Sequence, residues 1–191
     1  MRHPHRSAII LLVFLLPVTL SWSQSFFTGD QRPRFNRLSR IDGLPNNSVS
    51  SIFQDRRGLM WFGTQGGLVR YDGHAFHTYY SEPFAERSLP HDLVQTTYYD
   101  RESDEIWVGT YAGLARYDAA TGGFVTFGHG PDRSDSLSDN VVIAISRGPD
   151  GHLWVGTQNG LNRMNADGSF SLIPTRHPVI RDLFLDSRGD L

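Results

Sequence analysis

The heptapeptide Gly58-Leu59-Met60-Trp61-Phe62-Gly63-Thr64 constrains this chain more than any other feature, because it is written again twice and begun once more. It returns as Glu105-Ile106-Trp107-Val108-Gly109-Thr110 and as Gly151-His152-Leu153-Trp154-Val155-Gly156-Thr157. Each copy runs on into a small turn and an apolar–basic–apolar set: Gly67-Leu68-Val69-Arg70-Tyr71, Gly113-Leu114-Ala115-Arg116-Tyr117 and Gly160-Leu161-Asn162-Arg163-Met164. The tryptophans stand 46 and 47 residues apart (61 to 107, 107 to 154). The run Asp186-Ser187-Arg188-Gly189-Asp190-Leu191 lines up with Asp55-Arg56-Arg57-Gly58-Leu59-Met60, so a further tryptophan is expected next.

A unit of roughly 40–50 residues with no helical period inside it is the mark of a propeller blade. Met60, Trp61 and Phe62 are consecutive and apolar, which suits a strand covered on both faces better than a half-exposed one. Blades stacked around an axis cover one another on both faces, so the pattern predicts an all-β chain. The expected architecture is a β-propeller of four-stranded antiparallel blades, with three blades near residues 44–80, 89–127 and 137–173 and the start of a fourth at 179–191. Within the first blade, residues 49–54 read as one strand, 59–64 as the next and 68–71 as the third. Asp72-Gly73 is a hairpin signal leading into an outer strand at 76–80. Residues 35–38 resemble such an outer strand with no blade of their own before them, and are expected to complete the final blade. Three blades cannot meet where about 4–8 close a ring, so this stretch alone is expected to be poorly soluble or partly folded.

The remaining composition excludes several functions. Lys+Arg number 18 against 20 Asp+Glu, a net charge of −2, with no basic run beyond the N-terminus, so the footprint of a nucleic-acid binder is missing. There is no cysteine, hence no disulfide, thiolate nucleophile or cysteine-ligated metal. Arg2, His3, His5 and Arg6 precede an apolar run from Ala8 to Leu20, and Ser21-Trp22-Ser23 ends in a small-x-small site. These features describe a secretory signal over residues 1–23, and the run is short of the ~20 residues needed to span a bilayer. Residues 24–34 read as a polar lead-in. Export to the periplasmic side is the expected location.

The order Ile41-Asp42-Gly43-Leu44-Pro45-Asn46-Asn47-Ser48-Val49, then Ile52-Phe53-Gln54-Asp55, Gly58, Trp61-Phe62-Gly63-Thr64, Gly67-Leu68 and Arg70-Tyr71-Asp72-Gly73 closely resembles the two-component-regulator propeller repeat. The resemblance covers the chain from about Phe35 onward. It implies the N-terminal part of a periplasmic sensor, attached through the inner membrane to a histidine kinase, hybrid kinase or diguanylate cyclase. The implied partners are a small-molecule or carbohydrate ligand, the rest of the same propeller, the downstream signalling domains and a second copy in a dimer. A propeller lyase or a free carbohydrate-binding propeller is the alternative.

No catalytic residue, metal site or cofactor is expected. His74 and His77 lie on opposite faces of a strand, and Asp132, Asp135 and Asp139 lack the glycine and terminal glutamate of a calcium loop. Asp55, Asp100, Asp150 and Asp186 recur at turns, where an Asp side chain closes the turn on its own backbone. Trp61, Trp107 and Trp154 are expected to be core, Trp107→Ala and Trp154→Ala each costing ~3–5 kcal/mol. Gly63, Gly109 and Gly156 and Thr64, Thr110 and Thr157 recur with them. Arg70, Arg116 and Arg163 are expected to link neighbouring blades. The loops at 81–92 and 128–140 fall at one phase of the repeat, so they emerge together and form the expected binding end.

Overall fold

Twelve strands follow one another in a strict meander through residues 37–186, the part of the chain that the computed structural model describes. The expected signal, the lead-in, Phe35, Asn36 and residues 187–191 lie outside those residues. Blade I contains β1 (Val49–Gln54), β2 (Met60–Thr64), β3 (Gly67–Tyr71) and β4 (Phe76–Tyr79). Blade II contains β5 (Val94–Asp100), β6 (Glu105–Thr110), β7 (Gly113–Asp118) and β8 (Gly123–Phe127). Blade III contains β9 (Val142–Arg147), β10 (Leu153–Thr157), β11 (Gly160–Met164) and β12 (Phe170–Ile173). Each blade is a separate four-stranded sheet paired only between sequence neighbours, all antiparallel. A 3-10 turn at Arg40–Asp42 is the sole helical element among the described residues.

The blades stack through their first strands: β5 lies against β1 and β2, and β9 against β5 and β6. Strands β1, β5 and β9 therefore run along a common inner line, with β4, β8 and β12 outermost. The repeated glycine makes this approach possible. A Cβ on Gly63 would sit 2.8 Å from Val94 Cγ1, one on Gly109 2.7 Å from Val142 Cγ1, and one on Gly156 2.6 Å from Ile180 Cγ2. Real Cβ atoms do not come this close, so only glycine admits the first residue of the next inner strand. Opposite that glycine the inner strand of each blade carries an irregular register, at Val49/Ser51, Val94/Thr96 and Val142/Ala144, which bends and twists it.

The repeated threonine has an equally local cause. Thr64 Oγ1 donates to the Gly67 carbonyl at 2.8 Å and accepts from the Gly66 N–H at 3.0 Å. Thr110 and Thr157 repeat both bonds across their own second turns. One buried hydroxyl thus satisfies a donor and an acceptor where the hairpin leaves the ladder. The leucine that ends the segment ahead of each blade acts as a plug. Leu89 and Leu137, with Leu44 in the matching place, are buried, Leu89 beside Trp61 and Leu137 beside Trp107.

Each tryptophan is covered by the blade that follows it. Trp61 packs with Leu89, Val94, Ile106 and Phe124 of blade II, and Trp107 with Leu137, Val142, Leu153 and Phe170 of blade III. Both are essentially inaccessible, at 0 % and 2 %. Trp154 is only half-buried, because residues 181–186 form no strand over it. Of the fourth inner strand only Ile180 takes its place, its N–H donating to the Thr157 carbonyl at 3.1 Å and its side chain against Gly156. At the other end β1 exposes Val49 and Ile52, whereas Val94 and Val142 are buried. Arg37 and Leu38 belong to no strand.

The equal cost expected for the tryptophans therefore divides. Trp107→Ala should destabilise the chain by ~3–5 kcal/mol, and Trp154→Ala by less than about half of that, since its ring keeps part of its water contact. Urea denaturation of both variants measures the difference.

Candidate functional site

Antiparallel meanders place the β2–β3 turns and the blade-to-blade loops at one end of the stack, and the β1–β2 and β3–β4 turns at the other. At the loop end the connections are pinned at their bases. Ser81 N–H donates to Asp92 Oδ1 at 2.6 Å, and His129 N–H to Asn140 Oδ1 at 2.7 Å. Inside each loop a serine hydroxyl gathers carbonyls, Ser88 those of Glu82 and Ala85, and Ser136 those of Gly130 and Arg133. The Gly67 N–H reaches the Asp92 carbonyl at 2.7 Å, so the turn of blade I and the loop entering blade II are one surface. Tyr80, Phe84 and Tyr111 project from it, the first and third about half exposed and Phe84 wholly so. His91 lies beside Tyr111, ring centroids 6.2 Å apart. Phe84 also has φ +69°, a backbone state that a bulky side chain enters only when its surroundings hold it there.

The turn end carries the charged chemistry. In blade I, Asp55 Oδ1 accepts the N–H groups of Arg57 and Leu59 at 2.9 and 3.0 Å, while Oδ2 accepts the Trp61 indole N–H at 3.0 Å. Asp150 repeats the arrangement with His152 N–H and the Trp154 indole. The aspartates at these turns thus do what a turn residue should, and also hold the core ring. Asp104, standing where the other two turns have glycine, takes φ +59°.

Blade II breaks the rule. Asp100 accepts the Glu102 N–H on Oδ1, and its Oδ2 accepts the Ser103 hydroxyl and takes Arg147 of blade III, 2.5 Å away. The Trp107 indole is handed to Glu105 at 3.3 Å. Glu105 takes Arg147 on Oε2 at 3.2 Å and Arg116 on Oε1 at 3.0 Å, and the Arg116 guanidinium lies 5.7 Å over the Trp107 ring. The Asp100 side chain is 7 % exposed and that of Arg147 27 %. Burial alone would raise the Asp100 pKa, but the Ser103 hydroxyl, the Glu102 N–H and the Arg147 guanidinium outweigh it and hold the carboxyl below its ordinary value.

Arg116 and Arg163 thus pair inside their own blades, with Glu105 and Asp150, and Arg70 has no acidic partner among the described residues. The expected link between neighbouring blades is made instead by Arg147, which lies outside the repeated set. The only sequence signals for the cluster are departures from the repeat. Glu105 stands where blade I has Leu59 and blade III His152, and Arg147 where blade I has Gln54 and blade II Tyr99. His74 engages the Asp72 side chain through its backbone N–H. Asp135 pairs with Arg133, and Asp139 accepts the Val141 N–H. No three metal-ligating side chains converge among the described residues.

Comparison with known proteins gives a consistent picture. Residues 43–66 and 136–159 match the model of the two component regulator propeller family. An 80-residue stretch, 42 % of this chain and 5 % of the relative, is 35 % identical to histidine kinase P4 of Formosa agariphila. The extracellular domain assigned to the hybrid two component system BT3049 of B. thetaiotaomicron superposes with a TM-score of 0.67 at 34 % identity, over 72 % of this chain and 20 % of that one. That of BT4673 from the same organism gives 0.61 at 23 % identity, over 77 % and 20 %. Virginiamycin B lyase of Staphylococcus aureus shares the fold, with a TM-score of 0.52 at 16 % identity over 71 % of this chain and 44 % of the lyase. The chain spans about a twentieth of the kinase and a fifth of each extracellular domain.

The Asp100–Arg147 pair makes stability pH-dependent with a definite sign. A carboxyl with a depressed folded-state pKa contributes stability that is present above its unfolded value of about 3.9 and lost as pH falls through the folded one. Asp100→Asn should therefore be less stable than the parent at pH 7, and the gap should close as pH drops below about 4. Thermal melts across that range decide it.

Proposed function

We propose that the chain, two segments of which match the two component regulator propeller family, is the ligand-binding part of an extracytoplasmic sensor. In this reading it binds without catalysing. The observation that carries it is the 34 % identity to an extracellular domain assigned to a hybrid two component system, over 72 % of this chain. The kinase match and the repeat match support the same reading. The sequence behind Arg2 and Arg6 supports export, with the propeller on the periplasmic side and the signalling domains across the inner membrane. Occupancy passes onward through the rest of the ring to a dimeric output.

The loop end is the ligand surface in this reading. Its scaffold is pinned at every base while Tyr80 and Tyr111 stand free, and pinned loops displaying exposed rings suit binding. Flat aromatic faces with a nearby polar group such as His91 take a small polar molecule or a carbohydrate. Turns at this end satisfy their own polar groups internally, so the rings can contact a ligand without unfolding the blade.

Two measurements test this. An alkaline phosphatase fusion after residue 186 should be active in intact bacteria and lose activity when residues 1–23 are deleted. A thermal-shift screen of soluble oligosaccharides and small polar metabolites should raise the melting temperature for at least one compound. That shift should vanish in the Tyr80→Ala/Tyr111→Ala double variant, whose unliganded melting temperature should stay near that of the parent. A shift that survives the double variant, or no shift at all, removes the loop end as the site.

A further inference from the structure

The two blade interfaces are built on one register, and they are not filled alike. Between blades I and II the space beside Trp61 is taken by tyrosines. Tyr117 meets Trp61 edge-on at 5.1 Å, packs on Phe124 at 5.6 Å and shares a hydroxyl contact of 3.2 Å with Tyr79. Tyr99 stacks on Phe53 at 5.5 Å. Between blades II and III the register-equivalent positions hold Met164 in place of Tyr117 and Arg147 in place of Tyr99. Strand pairing establishes the first match, since Tyr117 pairs with Phe124 as Met164 pairs with Phe170. At this interface a groove of about 520 Å³ lies beside Trp107, walled by Phe127, Met164, Arg116 and Glu105. It opens at the turn end, away from the loops described above.

We propose that this groove is a binding site for a monocyclic aromatic carboxylate. The first interface shows what its shape accepts: one six-membered ring set against the tryptophan and the neighbouring phenylalanine. The charge comes from Arg116. Its Nη1 serves Glu105, while among the described residues its Nε and Nη2 have no protein acceptor, and it is fixed over the Trp107 face. Arg147 already serves Gly151, Glu105 and Asp100, so Arg116 is the guanidinium left for a ligand. Glu105 is matched by the two arginines on its oxygens, while Asp167, whose Oδ1 accepts the N–H and hydroxyl of Ser169, keeps its charge at the rim of the groove. A guanidinium presenting two donors to a carboxylate is a strong and directional contact. The groove lies within the ~300–1,000 Å³ of ordinary small-molecule sites.

Isothermal titration of the full chain with benzoate tests the site. Benzoate should bind, and acetate (no ring) and benzyl alcohol (no charge) should each bind at least about tenfold more weakly. Met164→Tyr rebuilds the filling of the first interface, so it should keep or raise the melting temperature and abolish benzoate binding. Arg116→Gln should weaken benzoate by about tenfold or more and leave benzyl alcohol unchanged. The Tyr80→Ala/Tyr111→Ala protein should bind benzoate as the parent does, which separates this site from the loop end. Absence of benzoate binding in the parent overturns the proposal, as does binding that persists unchanged in either Met164→Tyr or Arg116→Gln.

Discussion

The structure depends on how closely one sheet can approach the next. A blade has two apolar faces and can bury neither by itself, so each must be covered by a neighbour standing a side chain's depth away. That depth is set where Val94, Val142 and Ile180 enter the space above Gly63, Gly109 and Gly156. With the inner strands that close, the next blade's leucines and aromatics fall over the tryptophan and exclude water from it. Any side chain in place of the glycine would hold the sheets apart and leave the indole wet. The half-buried Trp154, set against Trp61 and Trp107, shows that burial of this ring belongs to the interface and not to the blade that carries it.

Once that spacing is repeated, the parts serving it are free of other duties, and individuality appears where the repeat is broken. The first interface is closed by stacked rings and the second by an ion cluster around Glu105. A carboxylate between two arginines is a costly way to join sheets unless every partner is in place. Here Asp100, Trp107 and Ser103 complete the set, so the buried Asp100 and its partly exposed neighbours are matched. The groove lies at this same interface, beside Met164 and Arg147, so the ion cluster and the open space share one blade boundary.

The two ends of the stack divide their roles for a topological reason. Loops of a dozen residues emerge at one end and can be held at their bases while their tips vary. Turns of a few residues emerge at the other and are committed to closing hairpins and anchoring the indoles. Display of Tyr80, Phe84 and Tyr111 is possible only at the first. The charge-lined groove forms only at the second, where Arg147 ends its strand within reach of the preceding blade.

Most of the framework was readable before any coordinates. The tryptophans, glycines and threonines recur because the same packing and the same turn recur. Asp104 announced its backbone state by standing where glycine stood. Period alone determined that much, since a contact made in every blade must be written in every repeat. What only the tertiary structure decided is the pairing made once: Arg147 with Asp100 and Glu105, the partner of Arg116 within its own blade, and the unequal filling of two interfaces built on one register. The Arg147 contacts join side chains more than forty residues apart across a blade boundary, and nothing in the local spacing of either partner encodes the other.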